Sequence, residues 1–274
     1  MIPATSQMDT HQSYDPAHFE PLFAVEDRHF WFRARNRILA TVMRQITAAL
    51  APGYRVLEVG CGTGYVLSML SGICSQGSVI GMDLFAEGLR YARRRTACAL
   101  VQGDLNASPL RQRFEVVGLF DVLEHLPDDV GVLRLLHEHL APAGRLVLTV
   151  PACPSLWSYF DEASQHCRRY TLDELGHKLR QAGFQIDYAT YFMFSLFPIL
   201  WLGRKLSGTS RNGGGGSATG TAELAHRELR VMPVINEVLH FLLAQEAHLI
   251  ARRVQLPMGT SILALAKRIP ASHE

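Results

Sequence analysis

The sequence predicts an α/β fold built on a doubly wound sheet. Short apolar runs alternate with segments of helical periodicity, and this alternation is typical of parallel strands with helices on both faces. A glycine-rich turn follows the first apolar run, and acidic residues follow the next three. Because ligands of doubly wound sheets lie at the carboxyl ends of the strands, these residues should converge on one crevice.

The composition favours one large domain or two small ones. The 274 residues are 48% hydrophobic, which is enough for a sizeable core. The 27 Lys and Arg residues nearly balance 25 Asp and Glu, whereas a dedicated nucleic-acid binder would carry a clear basic excess. The five cysteines lack C-x-x-C spacing and fit free thiols in a reducing compartment. With no signal peptide or membrane-spanning run recognised, we expect a cytoplasmic protein.

The first elements follow from apolar runs and helix breakers. Residues 1–18 are predicted as a loose arm and residues from about 26 to 50 as a helix, which Pro52 and Gly53 end. A basic helix is predicted at 86–95 and another helix at 128–140. The first five strands are predicted at 55–59, 78–82, 99–101, 115–120 and 145–150.

The C-terminal part adds a helix, two strands and an insertion. Residues 171–174 read T-x-x-E, a capping box that opens a helix reaching about residue 183. Apolar runs at 184–192 and 260–268 predict the last two strands. Between them lie an apolar segment, a Gly/Ser-rich loop at 207–221 and a helical pattern at about 233–254. The predicted division is an arm and cap helix (1–50), a core (51–192 with 260–270) and a helical insertion or lid (193–259).

The glycine turn at 60–64 is the strongest chemical signal. Its G-x-G-x-G spacing differs from the dinucleotide fingerprint, and the P-loop lysine is absent. Asp83 lies 23 residues beyond Gly60, where its carboxylate could accept hydrogen bonds from both hydroxyls of a ribose. Asp104, at the end of the third strand, lies where an adenine amino group could be bound.

ExGCGTG, GMD, QGDL and DVLEHLPD occur in the order and spacing of class I S-adenosylmethionine-dependent methyltransferases. The sequence resembles this family over about residues 54–192 and at 260–268, with the ubiquinone-biosynthesis-like branch (methyltransferase type 11 or 12) as its nearest part. The resemblance implies a Rossmann-like seven-stranded sheet with an antiparallel last strand pair. It also implies S-adenosyl-L-methionine as cofactor and S-adenosyl-L-homocysteine as product.

The resemblance assigns cofactor contacts to positions at the strand ends. They are Glu58, Gly60, Cys61, Gly62, Thr63 and Gly64 for the methionine portion, Asp83 for the ribose, Met82, Leu84, Asp104 and Leu105 for the adenine, and Asp121 and Val122 on the far side.

The segment 29–36 resembles a less characterised bacterial branch encoded among cell-envelope and natural-product genes. Arg35 or Arg33 could reach the carboxylate of the cofactor's methionine, and Trp31 could cover it. The alternative is that the aromatic residues of this segment belong to the core of a first helix.

Two histidines are candidate bases. His125, after the fourth strand, should lie near the transferable methyl group, as a base or as a positioning residue. His166 lies in the loop after the fifth strand, where this fold often places substrate contacts. No metal site is expected, although Asp161, His166 and Cys167 could form one.

The same loop supplies candidate substrate contacts. Arg168 and Arg169 could bind a carboxylate or phosphate of the substrate, with Tyr170 and Trp157 beside them. Alternatively, one of the two arginines pairs with Asp161 or with Glu162 and fixes the loop.

The sequence therefore predicts methyl transfer to a small-molecule or lipid-like acceptor. O-methylation is favoured over N- or C-methylation, with a His as base and no nucleic-acid partner. The alternatives are an RNA or protein methyltransferase and a non-catalytic cofactor-binding homologue. The apolar segment 191–205 could be a lid, a peripheral membrane contact on the cytoplasmic face, or core.

Overall fold

Strands and helices alternate along the chain in the computed structural model, which describes residues 14–206 and 231–269. The strands are β1 (Arg55–Val59), β2 (Ser78–Asp83), β3 (Ala99–Gln102), β4 (Phe114–Phe120), β5 (Leu140–Pro151), β6 (Phe184–Phe192) and β7 (Ser261–Arg268). The α-helices are α1 (Phe19–Val25), α2 (Phe30–Thr47), α3 (Tyr65–Ile73), α4 (Ala86–Ala92), α5 (Asp129–His139), α6 (Tyr159–Ala163), α7 (Leu172–Gln181), α8 (Phe197–Leu206) and α9 (Pro233–Ala251).

All seven strands form one mixed sheet in the order β3-β2-β1-β4-β5-β7-β6. Strands β1 to β5 are parallel, and β7 runs antiparallel between β5 and β6. The predicted fold class, including the antiparallel last pair, is confirmed. The strand order reverses between β1 and β4, so the crevice for a ligand is expected at their carboxyl ends.

Both faces of the sheet are buried by helices. Neighbouring residues of β1 divide between the two sides: Val56 packs with α2 and α3, whereas Leu57 packs with α5 and α7. Because each central strand is covered on both faces, the strands are rich in apolar residues and hold the loops at their ends in fixed positions.

The start of the chain differs from the prediction. The single helix expected at about 26–50 is wrong at its beginning, because two helices, α1 and α2, are joined by a turn. His29 ends that turn in an extended conformation (φ −72°, ψ 131°), and its Nδ1 accepts a hydrogen bond from the N–H of Trp31 (3.3 Å). Residues 1–13 of the predicted arm lie outside the described residues, and a 3₁₀ turn at Pro16–His18 leads into α1.

Smaller differences concern element ends. The predicted basic helix stops at Ala92, and β5 begins at Leu140 rather than at 145. The capping residue of α7 is as expected, because the Thr171 side chain accepts the N–H of Glu174 (3.2 Å).

The two helices α8 and α9 lie between β6 and β7 in the chain, where the insertion was expected. Helix α9 packs along α2 and adds Leu243, Ala247 and Ile250 to the core. The Gly/Ser-rich loop lies outside the described residues. The division into arm, core and insertion remains a prediction.

Asp129 holds three elements together. Its carboxylate accepts hydrogen bonds from Tyr170 Oη (3.0 Å) and Lys178 Nζ (2.7 Å) and pairs with Arg168 (2.6 Å). Burial alone would raise the pKa of Asp129, but these partners outweigh it and hold the pKa below the usual 3.8. The carboxylate therefore stabilises the fold above pH about 4, and this contribution is lost as the pH falls through the lower folded-state pKa.

We expect Asp129→Asn to lower the free energy of unfolding by about 1–3 kcal/mol at neutral pH. Urea titrations at stepwise lower pH should show the difference from wild type shrinking from pH about 4 downward, until the pH is below the lowered pKa of folded Asp129 and both chains are neutral at this position. Asp173→Asn, at an exposed position of α7, is the control and should change stability by less than about 0.5 kcal/mol. A difference that persists unchanged in acid would contradict the ionic role of Asp129.

Candidate active site

A cavity of about 620 Å³ lies at the carboxyl ends of the central strands. Its walls come from the glycine turn, the ends of β2, β3 and β4, the first two helices, and residues near the start of α8. Every predicted cofactor position except Gly64 lines it: Trp31, Arg35, Glu58, Gly60, Cys61, Gly62, Thr63, Met82, Asp83, Leu84, Asp104, Leu105, Asp121 and Val122.

The glycine turn leaves β1 in a left-handed conformation. Gly60 has φ 70°, and its N–H donates to the carbonyl of Met82 (2.8 Å) in the next strand. A Cβ at position 60 would stand 2.5 Å from Val122 Cγ2. The absence of this side chain therefore keeps open the floor of the cavity between the ends of β1 and β4.

Asp83 closes one side of the turn. Its carboxylate accepts the N–H of Gly62 (2.7 Å) on one oxygen and that of Phe85 (2.9 Å) on the other. Burial raises the pKa of Asp83, although the hydrogen bonds act against the rise. Each oxygen retains a lone pair, so the carboxylate could still accept hydrogen bonds from a ligand's hydroxyl groups.

Carboxyl groups dominate the charged lining of the cavity. The described part of the lining carries Arg35 and Arg169 as its arginines. Glu58 and Glu124 are buried, and in each one carboxyl oxygen has no hydrogen-bond partner among the described residues. Burial raises the pKa of both well above the usual value. The six carboxyl residues of the lining are Glu26, Glu58, Asp83, Asp104, Asp121 and Glu124.

Arg35 connects α2 to the end of β4. Its guanidinium pairs with the carboxylate of Asp121, a residue with the left-handed φ of 55° that is uncommon outside glycine. The guanidinium lies 4.9 Å from the ring centre of Trp31, and its Nε has no hydrogen-bond partner among the described residues. Arg35 therefore presents a buried donor beside the carboxylate of Asp121.

His166, which lines the cavity, forms a hydrogen-bonded pair with Asp161. His166 Nδ1 donates to Asp161 Oδ1 (2.9 Å), and the Asp161 side chain is fully buried. Burial alone would raise the pKa of Asp161, but the hydrogen bonds from His166 and Arg169 outweigh it and lower the pKa. An ionised carboxylate can only accept, so it fixes the proton on Nδ1 and leaves Nε2 of neutral His166 as an acceptor.

His125 stands next to His166. Their ring centres are 4.8 Å apart and nearly perpendicular, and both side chains line the cavity. The N–H of Cys167 donates to the carbonyl of Glu124 (2.7 Å), which ties the loop of His166 to the segment of His125. The two predicted candidate bases are thus brought together, although 41 residues separate them in the sequence.

The predicted substrate contacts have mostly other partners. Arg169 lines the cavity, but its Nε donates to Asp161 (2.7 Å), which is the local pairing that the sequence left open. Arg168 donates to the carbonyl of Pro127 (2.8 Å) and pairs with Asp129, and Tyr170 is fully buried. Trp157 is exposed and, like Arg168 and Tyr170, does not line the cavity.

Residues 25–189 match the family model described as a methyltransferase domain. The chain belongs to this methyltransferase family. The enzyme shares 31% identity over 105 residues with a ubiquinone biosynthesis O-methyltransferase of Xanthomonas campestris, a match that covers 36% of this chain and 43% of the relative. It shares 29% over 175 residues with the protein of that name from Thiobacillus denitrificans, covering 61% and 64%. The chain thus spans less than two thirds of the length of each of these relatives.

Solved structures share the enzyme's fold. A methyltransferase structure from Bacillus halodurans has a TM-score of 0.52 at 20% identity, with 84% of this chain and 99% of that chain covered. The plantazolicin methyltransferase BamL, solved with a triazolic desmethylPZN analogue and S-adenosylhomocysteine, has a TM-score of 0.58 at 13% identity, covering 94% and 95%. The chain carries an S-adenosylmethionine-dependent methyltransferase domain.

The cavity of the enzyme suits this methyl donor. S-adenosylmethionine carries a cationic sulfonium and an ammonium group, and the lining offers six carboxyl groups against two arginines. One carboxyl oxygen of Glu58 and the Nε of Arg35 have no partner among the described residues. Ionised Glu58 and Arg35 complement the ammonium and the carboxylate of an amino acid in charge.

One anchoring network was missed in the sequence. Glu26 accepts hydrogen bonds from Thr63 Oγ1 (2.5 Å) and from Arg95 (2.5 Å), which also donates to the carbonyl of Phe23 (2.9 Å). It fixes α1 to the glycine turn of the enzyme. Tyr14 was also missed, and its ring packs against Phe19 and His125. No local pattern marks these contacts, because the partners of Glu26 lie 37 and 69 residues away.

The two candidate bases and Glu124 form a cluster of possible metal ligands. Glu124, His125 and His166 each offer one ligand atom, and these atoms lie within 4.8 Å of one another. Among the described residues these are the side chains that could hold a divalent cation, and the same positions could instead pass a proton along the wall of the cavity.

Proposed function

We propose that the enzyme methylates a hydroxyl group of a small-molecule or lipid-like acceptor, with His166 as the general base. The observation that carries the proposal is the hydrogen bond from His166 Nδ1 to buried Asp161 (2.9 Å) on the wall of the cavity that also holds the predicted donor contacts. A histidine oriented by a carboxylate is suited to remove a proton in the transition state.

The proposed reaction is a single displacement. S-adenosylmethionine, when bound, supplies an electrophilic methyl group. His166 Nε2 accepts the proton of the acceptor hydroxyl while the oxygen forms its bond to the methyl carbon and the carbon–sulfur bond breaks, giving a methyl ether, a thioether and a protonated imidazole. Ionised Asp161 stabilises that imidazolium, and Arg169 keeps the carboxylate in place. Alignment of acceptor and methyl group supplies most of the acceleration.

The donor contacts are proposed from charge and position. Asp83 accepts the ribose hydroxyls, and Asp104 binds the adenine between Met82 and Leu105. Glu58 and Arg35 hold the ammonium and carboxylate of the methionine. The burial of Asp83, Glu58 and Arg35 supports their assignment, because buried charged groups favour partners of complementary charge.

The acceptor class is proposed from the apolar walls of the cavity. Apolar side chains from the first helices, from α6 and from the start of α8 surround the cavity, including Phe30, Phe160, Leu196 and Leu200. Such walls favour an acceptor with a hydrophobic body and few polar groups. Relatives named as ubiquinone biosynthesis O-methyltransferases support oxygen as the methylated atom.

A labelled-methyl transfer assay tests the acceptor class. Wild-type enzyme and an Asp83→Ala variant are incubated with S-adenosylmethionine labelled in the methyl group and with separate RNA, protein and organic-extract fractions. With wild-type enzyme we expect label in the organic extract, and mass spectrometry should identify the labelled product as a methyl ether. The Asp83→Ala variant should transfer little label. Label confined to RNA or protein would contradict the proposal.

A further inference from the structure

Helix α9 is rich in apolar residues, and the described residues cover it on one side only. Its inner side, with Leu243 and Ile250, is buried against α2. On its outer side Val234 is 78% exposed and Phe241 64% exposed. We call the outer side the α9 face and define it by Val234, Ile235, Val238, Phe241, Leu242 and Leu249, all exposed.

The charges around the α9 face are predominantly positive. Arg252 and Arg253 are exposed at the end of the helix, and Arg37 is exposed on neighbouring α2. The helix has two carboxyl residues, of which Glu237 is paired with Arg33 (2.5 Å) and Glu246 is buried. An apolar surface bordered by arginines complements an anionic lipid surface, whereas a second copy of the same face would bring like charges together.

The segment before α8 connects helix α9 with the cavity. The N–H of Ser195 donates to Glu246 of α9 (3.3 Å), and the adjacent Leu196 and Leu200 line the cavity. On the other side of α8, Ile199 is 59% exposed and Leu202 51% exposed. No helix within 14–206 or 231–269 is long and apolar enough to cross a bilayer.

We propose that the α9 face docks the enzyme on an anionic lipid bilayer, with α9 lying in the plane of the interface. The apolar side chains enter the region between headgroups and acyl chains, and Arg37, Arg252 and Arg253 contact the lipid phosphates. This surface is separate from the methyl-transfer machinery and stands whether or not His166 is the base. It would place the wall of the cavity formed by α8 beside the membrane.

Vesicle co-sedimentation tests the proposal with the full chain and neither methyl donor nor acceptor. Vesicles of phosphatidylcholine with about one quarter phosphatidylglycerol are compared with phosphatidylcholine alone. We expect wild type to bind the anionic vesicles and the Val238→Ser/Phe241→Ser variant to bind at least about tenfold more weakly. Arg37→Gln/Arg252→Gln should lose affinity by about fivefold or more on anionic vesicles and little on neutral ones.

Ile269→Ser is the matched control. Ile269 is also exposed (46%) but follows the end of β7, so its replacement should leave vesicle binding unchanged. Circular dichroism checks that every variant folds as wild type does. The proposal is overturned if wild type stays in the supernatant, or if the Val238→Ser/Phe241→Ser variant binds the anionic vesicles as tightly as wild type does. Sedimentation velocity then distinguishes two other occupants of the α9 face. A second copy would make wild type dimeric and the Val238→Ser/Phe241→Ser variant monomeric, whereas cover by residues 207–230 would leave both monomeric.

Discussion

Replacing His166 by alanine is expected to lower kcat by about 10²- to 10⁴-fold, because the acceptor hydroxyl then loses its base. Affinity for S-adenosylhomocysteine should change little, since His166 is not among the residues assigned to the donor. Asp161→Asn removes the charge that fixes the proton on Nδ1 and should lower kcat by about 10- to 100-fold. Steady-state kinetics with an acceptor found in the labelled-methyl assay measure both variants.

His125→Ala is the matched control for this assignment. His125 lines the same cavity with its ring centre 4.8 Å from that of His166, and the sequence alone did not distinguish the two. We expect a smaller loss for His125→Ala than for His166→Ala. The base is assigned wrongly if His125→Ala abolishes turnover and His166→Ala leaves it intact.

Gly64→Ala is expected to lower the free energy of unfolding by about 2–4 kcal/mol. Gly64 caps α3 with φ 76°, a conformation that costs an L-residue roughly 1–2 kcal/mol. Its added Cβ would also stand 2.8 Å from Cα and Cβ of Ala92, so α4 would have to move. Because α4 begins just beyond Asp83, the shift should also weaken donor binding.

Gly72→Ala separates this effect from the loss of a glycine in general. Gly72 lies in the same helix, α3, and an added Cβ meets no atom within 4 Å. We expect it to be neutral or to stabilise by up to about 1 kcal/mol, because alanine is the better helix former. Urea unfolding of both variants measures the contrast. Equal stability of the two variants would contradict the tight contact between the turn and α4.

The sheet and its carboxyl-edge residues were predictable because their signals are local. A buried strand is an uninterrupted apolar run, and the parallel arrangement brings the ends of such runs to one edge. Gly60, Asp83 and Asp121 could therefore be assigned to one crevice before any contact was known. The start of α2 was not predictable in the same way, because it depends on His29 capping a turn rather than on periodicity.

Contacts between distant side chains were the part that the sequence did not contain. Arg95 belongs to a run of arginines, which indicates a solvated helix face, yet its side chain is only 8% exposed and pairs with Glu26. Tyr170 is suited by type to bind a substrate but lies fully buried, with its hydroxyl on Asp129. In both cases a residue that is distant in the sequence determines the role of the side chain. The neighbouring residues in the sequence do not indicate that partner.

Calorimetric titration with S-adenosylhomocysteine tests the central claim, that the donor binds at the carboxyl ends of β1 and β2 against Asp83. We predict micromolar binding at one site, weakened about 30-fold or more in Asp83→Ala, because two charge-assisted hydrogen bonds are lost. Asp173→Asn, exposed on α7, should bind as wild type does. Equal affinity of folded Asp83→Ala and wild type, or no binding to wild type, would contradict the claim.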